Sequence, residues 1–283
     1  MTDVRHAAFA AISIIILFGT IYSVAFNTFL DTSNALVTHL PHPLSHTHYF
    51  ASKSNVLNVY FIKKVWAWTT AAFLFSWFTS PPQVKAPTRL IKYFTLTSIW
   101  LLFTAWFFGP PLLDRVIVAS GGQCVIPMPT GGPIVVPNEY CFEKSTISAS
   151  SHPQLFDLWA PPPPEWRGGV PRLRRGHDIS GHIFMLTMST LFLSDQLRPS
   201  FKIRVWSTLH GWAVAFNVAL IGIWLFATYT TSVYFHSPLE KFTGYLLGVT
   251  CFAFTQLPIF NIGQQGGLAS QEHASRSRIA VDS

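Results

Sequence analysis

The hydrophobic positions of this chain fall into long runs that carry almost no charge, and shorter polar or basic segments separate these runs. The stretch from Ala7 to Leu30, for example, has no charged residue and stops at Asp31. Because a helix needs roughly 20 apolar residues to cross the hydrocarbon core of a bilayer, each such run is a candidate span. The pattern predicts six transmembrane helices, at about residues 8–30, 62–80, 92–113, 180–197, 205–231 and 242–262. The fourth run is the shortest, because its charge-free part extends only from Ile179 to Ser194.

The composition supports a membrane protein and argues against a nucleic-acid-binding one. Hydrophobic residues make up 49% of the chain and charged residues only 11%, whereas a soluble domain carries about 25% charged residues. The net charge of +7 comes from basic residues scattered between the apolar runs, with no basic stripe and no nucleic-acid motif. We therefore expect an all-α, polytopic membrane protein with no nucleic-acid partner.

The distribution of Lys and Arg predicts the orientation of the spans. In short loops these residues collect on the cytoplasmic side. The loops on the side of the N-terminus hold nine of them: Arg5, Lys85, Arg89, Lys92, Arg198, Lys202, Arg204, Arg276 and Arg278. The short loops on the other side hold four: Lys53, Lys63, Lys64 and Lys241. This bias predicts cytoplasmic termini, with residues 114–178 as one long loop on the opposite side and residues 263–283 as a disordered cytoplasmic tail.

The long loop is rich in Pro and Gly, and Pro161 to Pro164 follow one another directly. Such a composition predicts an extended segment that is poorly suited to forming a packed core. The loop also contains Cys124 and Cys141. In an oxidising compartment these two residues could form a disulfide, and two free thiols are the alternative.

Two of the eleven histidines have positions that suggest chemistry. His182 opens the fourth predicted span and His236 follows the fifth. A chain that enters the membrane from one side and returns in the next span ends on the side where it began. The two histidines therefore share an aqueous compartment, at a membrane edge where ionisable residues are typical of functional sites.

The other histidines have simpler interpretations. One group, His39, His42, His46 and His48, has two prolines among its members and fits no standard zinc spacing. We interpret this group as a polar loop and predict no metal site and no cofactor. His210 lies inside the fifth predicted span and is interpreted as a polar residue that packs between helices.

Two histidines and a carboxylate can together transfer a phosphoryl group. One imidazole attacks phosphorus and the other donates a proton to the leaving oxygen. A carboxylate such as Glu240 orients the nucleophilic ring and offsets its charge. Backbone N–H groups of the Ser180–Gly181 turn at a helix start could hold phosphate oxygens. Nearby cations such as Arg174, Arg175 and Lys241 could neutralise the phosphate charge.

The motifs around both histidines resemble known families. Ser180-Gly181-His182 is similar to the middle motif of the lipid phosphate phosphatases, which are six-span membrane enzymes. The more specific resemblance is to the fat storage-inducing transmembrane (FIT) family, which includes the yeast Scs3-like proteins. This resemblance is carried by Asp178-Ile179-Ser180-Gly181-His182 followed by Phe184, and by Tyr234-Phe235-His236 followed by Glu240-Lys241.

The chain departs from the phosphatase pattern at three places. Thr230 stands six residues before His236, where the phosphatases have an arginine, and Glu240 stands where they have aspartate. The Arg198-Pro199 pair follows His182 instead of preceding it, and we interpret it as unrelated to the phosphatase motif.

The FIT resemblance implies an enzyme of the endoplasmic reticulum membrane with a luminal active site. Members of this family cleave the pyrophosphate of fatty acyl-CoA to acyl phosphopantetheine and adenosine bisphosphate, and they support lipid droplet formation, phospholipid biosynthesis and membrane homeostasis. The resemblance makes His236 the nucleophile, His182 the general acid and Glu240 the residue that orients His236. It also implies membrane lipids as partners, diacylglycerol or triacylglycerol among them.

Two other functions remain as alternatives at this point. One is a phosphatase that acts on lipid phosphate monoesters. The other is a protein without enzymatic activity that binds neutral lipid and shapes the membrane.

Overall fold

The computed structural model describes residues 3–30, 41–104, 109–128, 133–143, 145–156, 163, 165–203 and 205–261. The predicted tail at 263–283 and the first residue of the four-histidine segment, His39, lie outside these ranges. The helices in the described ranges are α1 (Val4–Ala25), α2 (Val65–Thr79), α3 (Pro87–Thr104), α4 (Leu112–Ala119), α5 (Asn138–Glu143), α6 (Gly181–Leu197), α7 (Thr208–Tyr234) and α8 (Pro238–Phe254). A π-helical segment, Leu57–Phe61, and a 3-10 turn, Ile62–Lys64, lead into α2. The fold is mostly helical.

The helices overlap the predicted spans to different degrees. Both α1 and α7 are long and apolar enough to cross a membrane. The shorter α2, α6 and α8 coincide with most of the second, fourth and sixth predicted spans. The third predicted span, 92–113, overlaps α3, which begins at Pro87, and a separate helix, α4, begins at Leu112. Pro110 and Pro111 stand between these helices, and proline interrupts the hydrogen bonding of a helix.

The centre of the helical bundle is α6, which packs against α1, α2, α7 and α8. Every residue from Ile183 to Leu197 is buried. Several of these are Ser or Thr, which are common where membrane helices pack on one another. The low hydropathy of this segment follows from its position, because a helix surrounded by protein needs few lipid-facing residues.

Two glycines allow α8 to approach α6 closely. Gly244 and Gly248 lie one turn apart on α8, in the small-residue spacing typical of membrane helix pairs. A Cβ added at Gly244 would lie 2.6 Å from the backbone oxygen of Ser180, and one at Gly248 would lie 2.8 Å from that of Phe184. The absence of side chains at these positions therefore sets the distance between the beginnings of α6 and α8.

A small sheet occupies the segment that the sequence predicted to lack a packed core. Its strands are β1 (Gln123–Ile126), β2 (Ile134–Val136) and β3 (Arg172–Arg174), in the antiparallel order β2-β1-β3. Its core consists of Cys124, Ile126, Ile134, Val136, Cys141, Ile147 and Phe156. Cys124 and Cys141 are bonded. The predicted extended loop and the all-α class are thus corrected: β-branched residues and a cross-link provide a core that the Pro and Gly content did not suggest.

The bundle has two ends with different polar residues. We call the end where α6 and α8 begin and α7 stops the histidine end, because it carries His182 and His236. The opposite end, where α1 and α7 begin and α6 stops, is called the Asp195 end. The sheet lies at the histidine end, since β3 contacts α4 and leads directly into α6.

Candidate active site

The two histidines predicted to share a compartment lie next to each other. Ser180 caps α6 by accepting a hydrogen bond from the backbone N–H of Ile183, and this places His182 in the first turn. His236 follows the end of α7 by two residues. The centroids of the two imidazole rings are 6.4 Å apart, and the ring planes meet at 76°. Both rings line the same cavity.

The position of His236 depends on a short extended segment after α1. The backbone N–H of Leu30 donates to the carbonyl oxygen of Tyr234, and the hydroxyl of Thr28 donates to that of Val233. These bonds hold the chain as it leaves α7. His236 itself has a φ of 61°, in the left-handed region that is unfavourable for most side chains. Such a conformation is found where surrounding contacts hold a functional residue in place.

Glu240 is placed beside His236 by a helix cap. Ser237 and Glu240 form a capping box at the start of α8, in which a carboxylate oxygen of Glu240 accepts from the backbone N–H of Ser237 at 2.8 Å. The same oxygen, Oε2, lies 3.5 Å from Nδ1 of His236. This nitrogen makes no hydrogen bond to a residue that the structure describes. The carboxylate is therefore close enough to stabilise a positive charge on the imidazole.

Four cations line the cavity together with the histidines. The cavity has a volume of about 310 Å³, and Lys53, Lys63, Arg172 and Arg174 contribute to its wall. Side chains alternate along a strand, so Arg172 and Arg174 of β3 point to the same side, while Leu173 between them packs on the core of the sheet. Within the described ranges, none of the four cations forms an ion pair with a carboxylate. The cavity is thus suited to an anion with several negative charges.

Two charged residues in the wall of the cavity, Asp178 and Arg174, have shifted pKa values. Burial raises the pKa of the Asp178 carboxyl, the charges of His236 and Arg174 oppose this shift, and those of Glu240 and Asp114 add to it. Burial also lowers the pKa of the Arg174 guanidinium, and the neighbouring charge of Arg172 acts in the same direction. Both shifts show that charged groups here are partly removed from water.

Of the groups predicted to bind phosphate, only Arg174 lies in the wall of the cavity. The hydroxyl of Ser180 is used in the cap of α6, and its backbone N–H donates to the carbonyl oxygen of Glu240. Gly181 faces an adjoining groove. Arg175 follows the last residue of β3, with a φ of 71°, and leaves the alternation that directs Arg174 into the cavity.

Lys241 was predicted to bind phosphate, but its side chain connects three helices and does not line the cavity. Its side chain is fully buried, and its ammonium group donates to the hydroxyl of Ser23 at 2.8 Å and to the carbonyl oxygen of Ser232 at 2.6 Å. These bonds tie α1, α7 and α8 together. The prediction failed because the sequence does not reveal which way a residue in the first turn of a helix faces.

Sequence reasoning missed Lys53, Lys63 and Arg172. Lys63 lies two residues before the apolar run that begins at Val65, and Arg172 is two residues from Arg174. The spacing of the arginines would have indicated a shared face only if the segment had been predicted as a strand. Lys53 carries no local signal, because it enters the cavity through the folding of residues 41–64.

Two of the other histidines, His210 and His42, have structural partners. His210 is buried between the hydroxyls of Thr79 and Ser200, at 3.1 Å from each. His42 contacts the carbonyl oxygen of Thr28 and accepts from the backbone N–H of Leu44. In the part of the chain that the structure describes, no group of three or more His, Cys, Asp or Glu side chains is arranged to hold a metal ion.

Comparison with known proteins identifies one family. The model of the fat storage-inducing transmembrane protein family matches residues 46–212 and 203–255. Acyl-coenzyme A diphosphatase fit1 of Schizosaccharomyces pombe is 27% identical over 205 residues, which cover 72% of this chain and 70% of that protein. Acyl-coenzyme A diphosphatase FITM2 of Bos taurus is 30% identical over 213 residues, covering 71% of this chain and 69% of that protein. The protein of the same name from Danio rerio is 29% identical, with 72% and 69% covered. No solved structure matches the chain.

Proposed function

This chain belongs to the fat storage-inducing transmembrane protein family, and from that premise we propose that it is a fatty acyl-CoA diphosphatase of the endoplasmic reticulum membrane. Its products would be acyl phosphopantetheine and adenosine bisphosphate. Relatives from a yeast and from vertebrates carry the name acyl-coenzyme A diphosphatase. The single observation that supports this function in the chain itself is the pairing of His182 and His236 in a cavity lined by cations.

The distance between the two rings suits one phosphorus atom. Reacting atoms approach to about 3–3.5 Å before a bond forms. Ring centroids 6.4 Å apart put both imidazoles within reach of one phosphate group. In-line displacement requires the attacking nitrogen and the leaving oxygen to lie on opposite sides of phosphorus, so one ring would contact phosphorus and the other the leaving oxygen.

The proposed reaction proceeds in two steps. A ring nitrogen of His236 forms a bond to one phosphorus of the diphosphate, the bridging P–O bond breaks, and His182 gives a proton to the departing phosphate oxygen. Water then attacks the phosphohistidine, and His182 takes a proton from that water as the N–P bond breaks. Glu240, 3.5 Å from His236, offsets the positive charge on the ring during both steps. Phosphate oxygens beside His182 favour its protonated form before the first step.

The four cations take the place of the arginine that the phosphatases have before the nucleophile. Thr230 occupies that position here and lines the cavity without a charge. The negative charge on phosphate would instead be balanced by cations from segments distant in sequence from Thr230, namely Lys53, Lys63, Arg172 and Arg174.

The membrane arrangement is part of the proposal. We infer six spans, with α1, α2, α3, α6, α7 and α8 crossing in turn, both termini in the cytosol and the active site in the lumen. The Lys and Arg bias supports this orientation. The Cys124–Cys141 bond supports it independently, because disulfides persist in oxidising compartments such as the lumen. The family to which the chain belongs suggests roles in lipid droplet formation and in membrane homeostasis, with diacylglycerol or triacylglycerol as lipid partners.

Hydrolysis by the purified protein tests the proposal. Oleoyl-CoA and phosphatidic acid are offered in detergent micelles to the wild type, to His182→Ala and to His236→Asn. Asparagine is chosen at position 236 because it tolerates a positive φ better than alanine does. We expect hydrolysis of oleoyl-CoA and a loss of about a thousandfold or more in each variant.

Three other results would contradict the proposal. Faster hydrolysis of phosphatidic acid would identify a monoester phosphatase. Activity close to wild type in either variant, with all proteins equally folded, would remove the two-histidine mechanism. Full complementation by His182→Ala in cells that lack the native protein would favour a lipid-binding protein without catalysis.

A further inference from the structure

A second, larger depression adjoins the cavity that holds the two histidines. It is a groove of about 880 Å³ between α2, α3 and the first turn of α6. The groove and the cavity share three lining residues, Ile62, Lys63 and His182. A molecule whose phosphates lie between the imidazoles can therefore extend into the groove.

Three aromatic side chains, Trp66, Tyr93 and Trp100, form part of the wall of the groove. Trp66 lies parallel to Tyr93, with ring centroids 6.2 Å apart, and stacks on Trp100 at the same centroid distance. Met185 and Ala67 complete this surface. Flat rings and a thioether provide a large apolar area that can accommodate a flexible chain.

Several uncharged polar side chains of the groove are hydrogen-bonded to one another or to the backbone. The indole N–H of Trp66 donates to the hydroxyl of Thr97, which donates to the carbonyl oxygen of Tyr93. The hydroxyl of Thr104 donates to the carbonyl oxygen of Trp100. Because these groups are already paired, they do not require a polar ligand.

The charge of the groove is confined to one end. Its only charged lining residues in the described ranges are Lys63 and Lys64, directly before α2 at the histidine end. The cavity, in contrast, has four cations and Asp178 in its wall. A ligand that occupies both must therefore have several negative charges at one end and an apolar part at the other.

We propose that the groove between α2 and α3 holds the fatty acyl chain of the substrate while the diphosphate lies between His182 and His236. This inference rests on the proposed function and specifies how the substrate is bound. The acyl chain lies at membrane depth along α2 and α3, and the charged part bends towards the histidines at Lys63. The groove thus positions the diphosphate by holding the chain, and it makes hydrolysis depend on chain length.

Filling the groove tests this proposal. Ala67 is exposed on α2 and lines the groove, so Ala67→Trp adds bulk there without disturbing a buried contact. Ala71, one turn further along the same helix, is also exposed and is not among the described residues that line the groove. Ala71→Trp is therefore a matched control. Kinetic constants kcat and KM are measured with oleoyl-CoA and with butanoyl-CoA, and melting temperatures show that each variant is folded.

We expect Ala67→Trp to lower the preference for oleoyl-CoA over butanoyl-CoA, measured as the ratio of kcat/KM, by about tenfold or more. Ala71→Trp should keep the wild-type ratio. If Ala67→Trp does not fold, Thr70→Phe places bulk at a second lining position and should have the same effect.

Two results would overturn the inference alone and leave the proposed function in place. One is an unchanged ratio in the folded Ala67→Trp variant, which would mean that the acyl chain does not lie in the groove. The other is an equal loss in Ala71→Trp, which would indicate a general disturbance of α2. Absence of hydrolysis of either acyl-CoA by the wild type would instead overturn the proposed function together with this inference.

Discussion

The two ends of the helical bundle both contain clusters of charged side chains, but these clusters are arranged differently. At the Asp195 end, Asp195 pairs with Lys92 at 3.1 Å and with Arg5 at 3.6 Å. Arg89 is buried and donates to the side-chain oxygen of Gln196 at 2.8 Å. At the histidine end, the four cations of the cavity form no ion pair within the described ranges.

We interpret this difference as a division of roles: the charges at the Asp195 end stabilise the fold, and those at the histidine end bind a ligand. Paired charges at the Asp195 end satisfy each other and connect α1, α3 and α6. Like charges collected around a cavity repel one another and cost folding free energy, so their presence needs another explanation. An anionic substrate provides that explanation, since it would gain from all four cations at once.

The largest effect is expected from removing one carboxylate at the histidine end. Glu240→Gln keeps the capping box, because glutamine can also accept from the backbone N–H of Ser237. It removes the charge beside His236, and we expect kcat to fall about a thousandfold, with the melting temperature shifted by less than about 2 °C. Steady-state hydrolysis of oleoyl-CoA and thermal unfolding in detergent measure the two quantities. A loss of tenfold or less would mean that Glu240 does not act through His236.

The matching change at the other end should affect stability instead. Asp195→Asn leaves Lys92 and Arg5 without their shared carboxylate in a largely buried position, at a cost of about 2 kcal/mol in unfolding free energy. The activity of each folded molecule should stay within about twofold of the wild type. Chemical denaturation measures the unfolding free energy. Active-site titration counts the active molecules, so that the activity of each one can be calculated. If Asp195→Asn instead lowered kcat as strongly as Glu240→Gln, the division between the two ends would be wrong.

Replacing one arginine at each end of the bundle should give a smaller difference, which is measured in KM. Arg174→Gln removes one cation from the cavity and should raise KM for oleoyl-CoA about tenfold, equivalent to about 1.4 kcal/mol. Arg198→Gln removes a half-exposed partner of Asp3 at the Asp195 end, where such an ion pair contributes less than about 1 kcal/mol. Its KM should match the wild type. Equal KM values for both variants would show that Arg174 does not contact the substrate.

The smallest effect is a pH dependence of stability at Asp178. Burial raises its pKa in the folded protein above the unfolded value, so its contribution to stability is present at low pH and is lost as pH rises through the folded pKa. Between about pH 4 and about pH 7, the melting temperature of the wild type should therefore fall relative to that of Asp178→Asn. If the melting temperatures of the two proteins changed in parallel with pH over this range, the raised pKa of Asp178 would be contradicted. The charges of His236 and Arg174 act against the shift and limit its size.

Three features of the structure were not predicted from the sequence. The segment at 180–197 is the shortest apolar run, yet α6 is the most enclosed helix, because a helix covered by protein needs less hydropathy than one covered by lipid. Lys241 was expected to bind phosphate and instead bonds to Ser23 and Ser232. The sheet at 123–174 was missed because its strands are only three or four residues long and pair across long separations.

The sequence by itself determined the properties that depend on neighbouring residues. Apolar runs indicated where helices form, and the order of the runs put His182 and His236 on one side. These properties follow from the pitch of a helix and the direction of the chain, and both are local.

Only the tertiary structure decided which side chains meet. The 6.4 Å between the two rings depends on glycines of α8 that allow it to approach α6, and on the backbone bonds between Leu30 and Tyr234. Arg172 and Arg174 reach the cavity because β3 pairs with β1, which lies far away in the sequence: Arg172 is opposite Val125, and Arg174 is opposite Gln123. The rotation of a helix about its axis and the partner of a strand are set by packing energy summed over the whole molecule. No short segment of the chain carries that information.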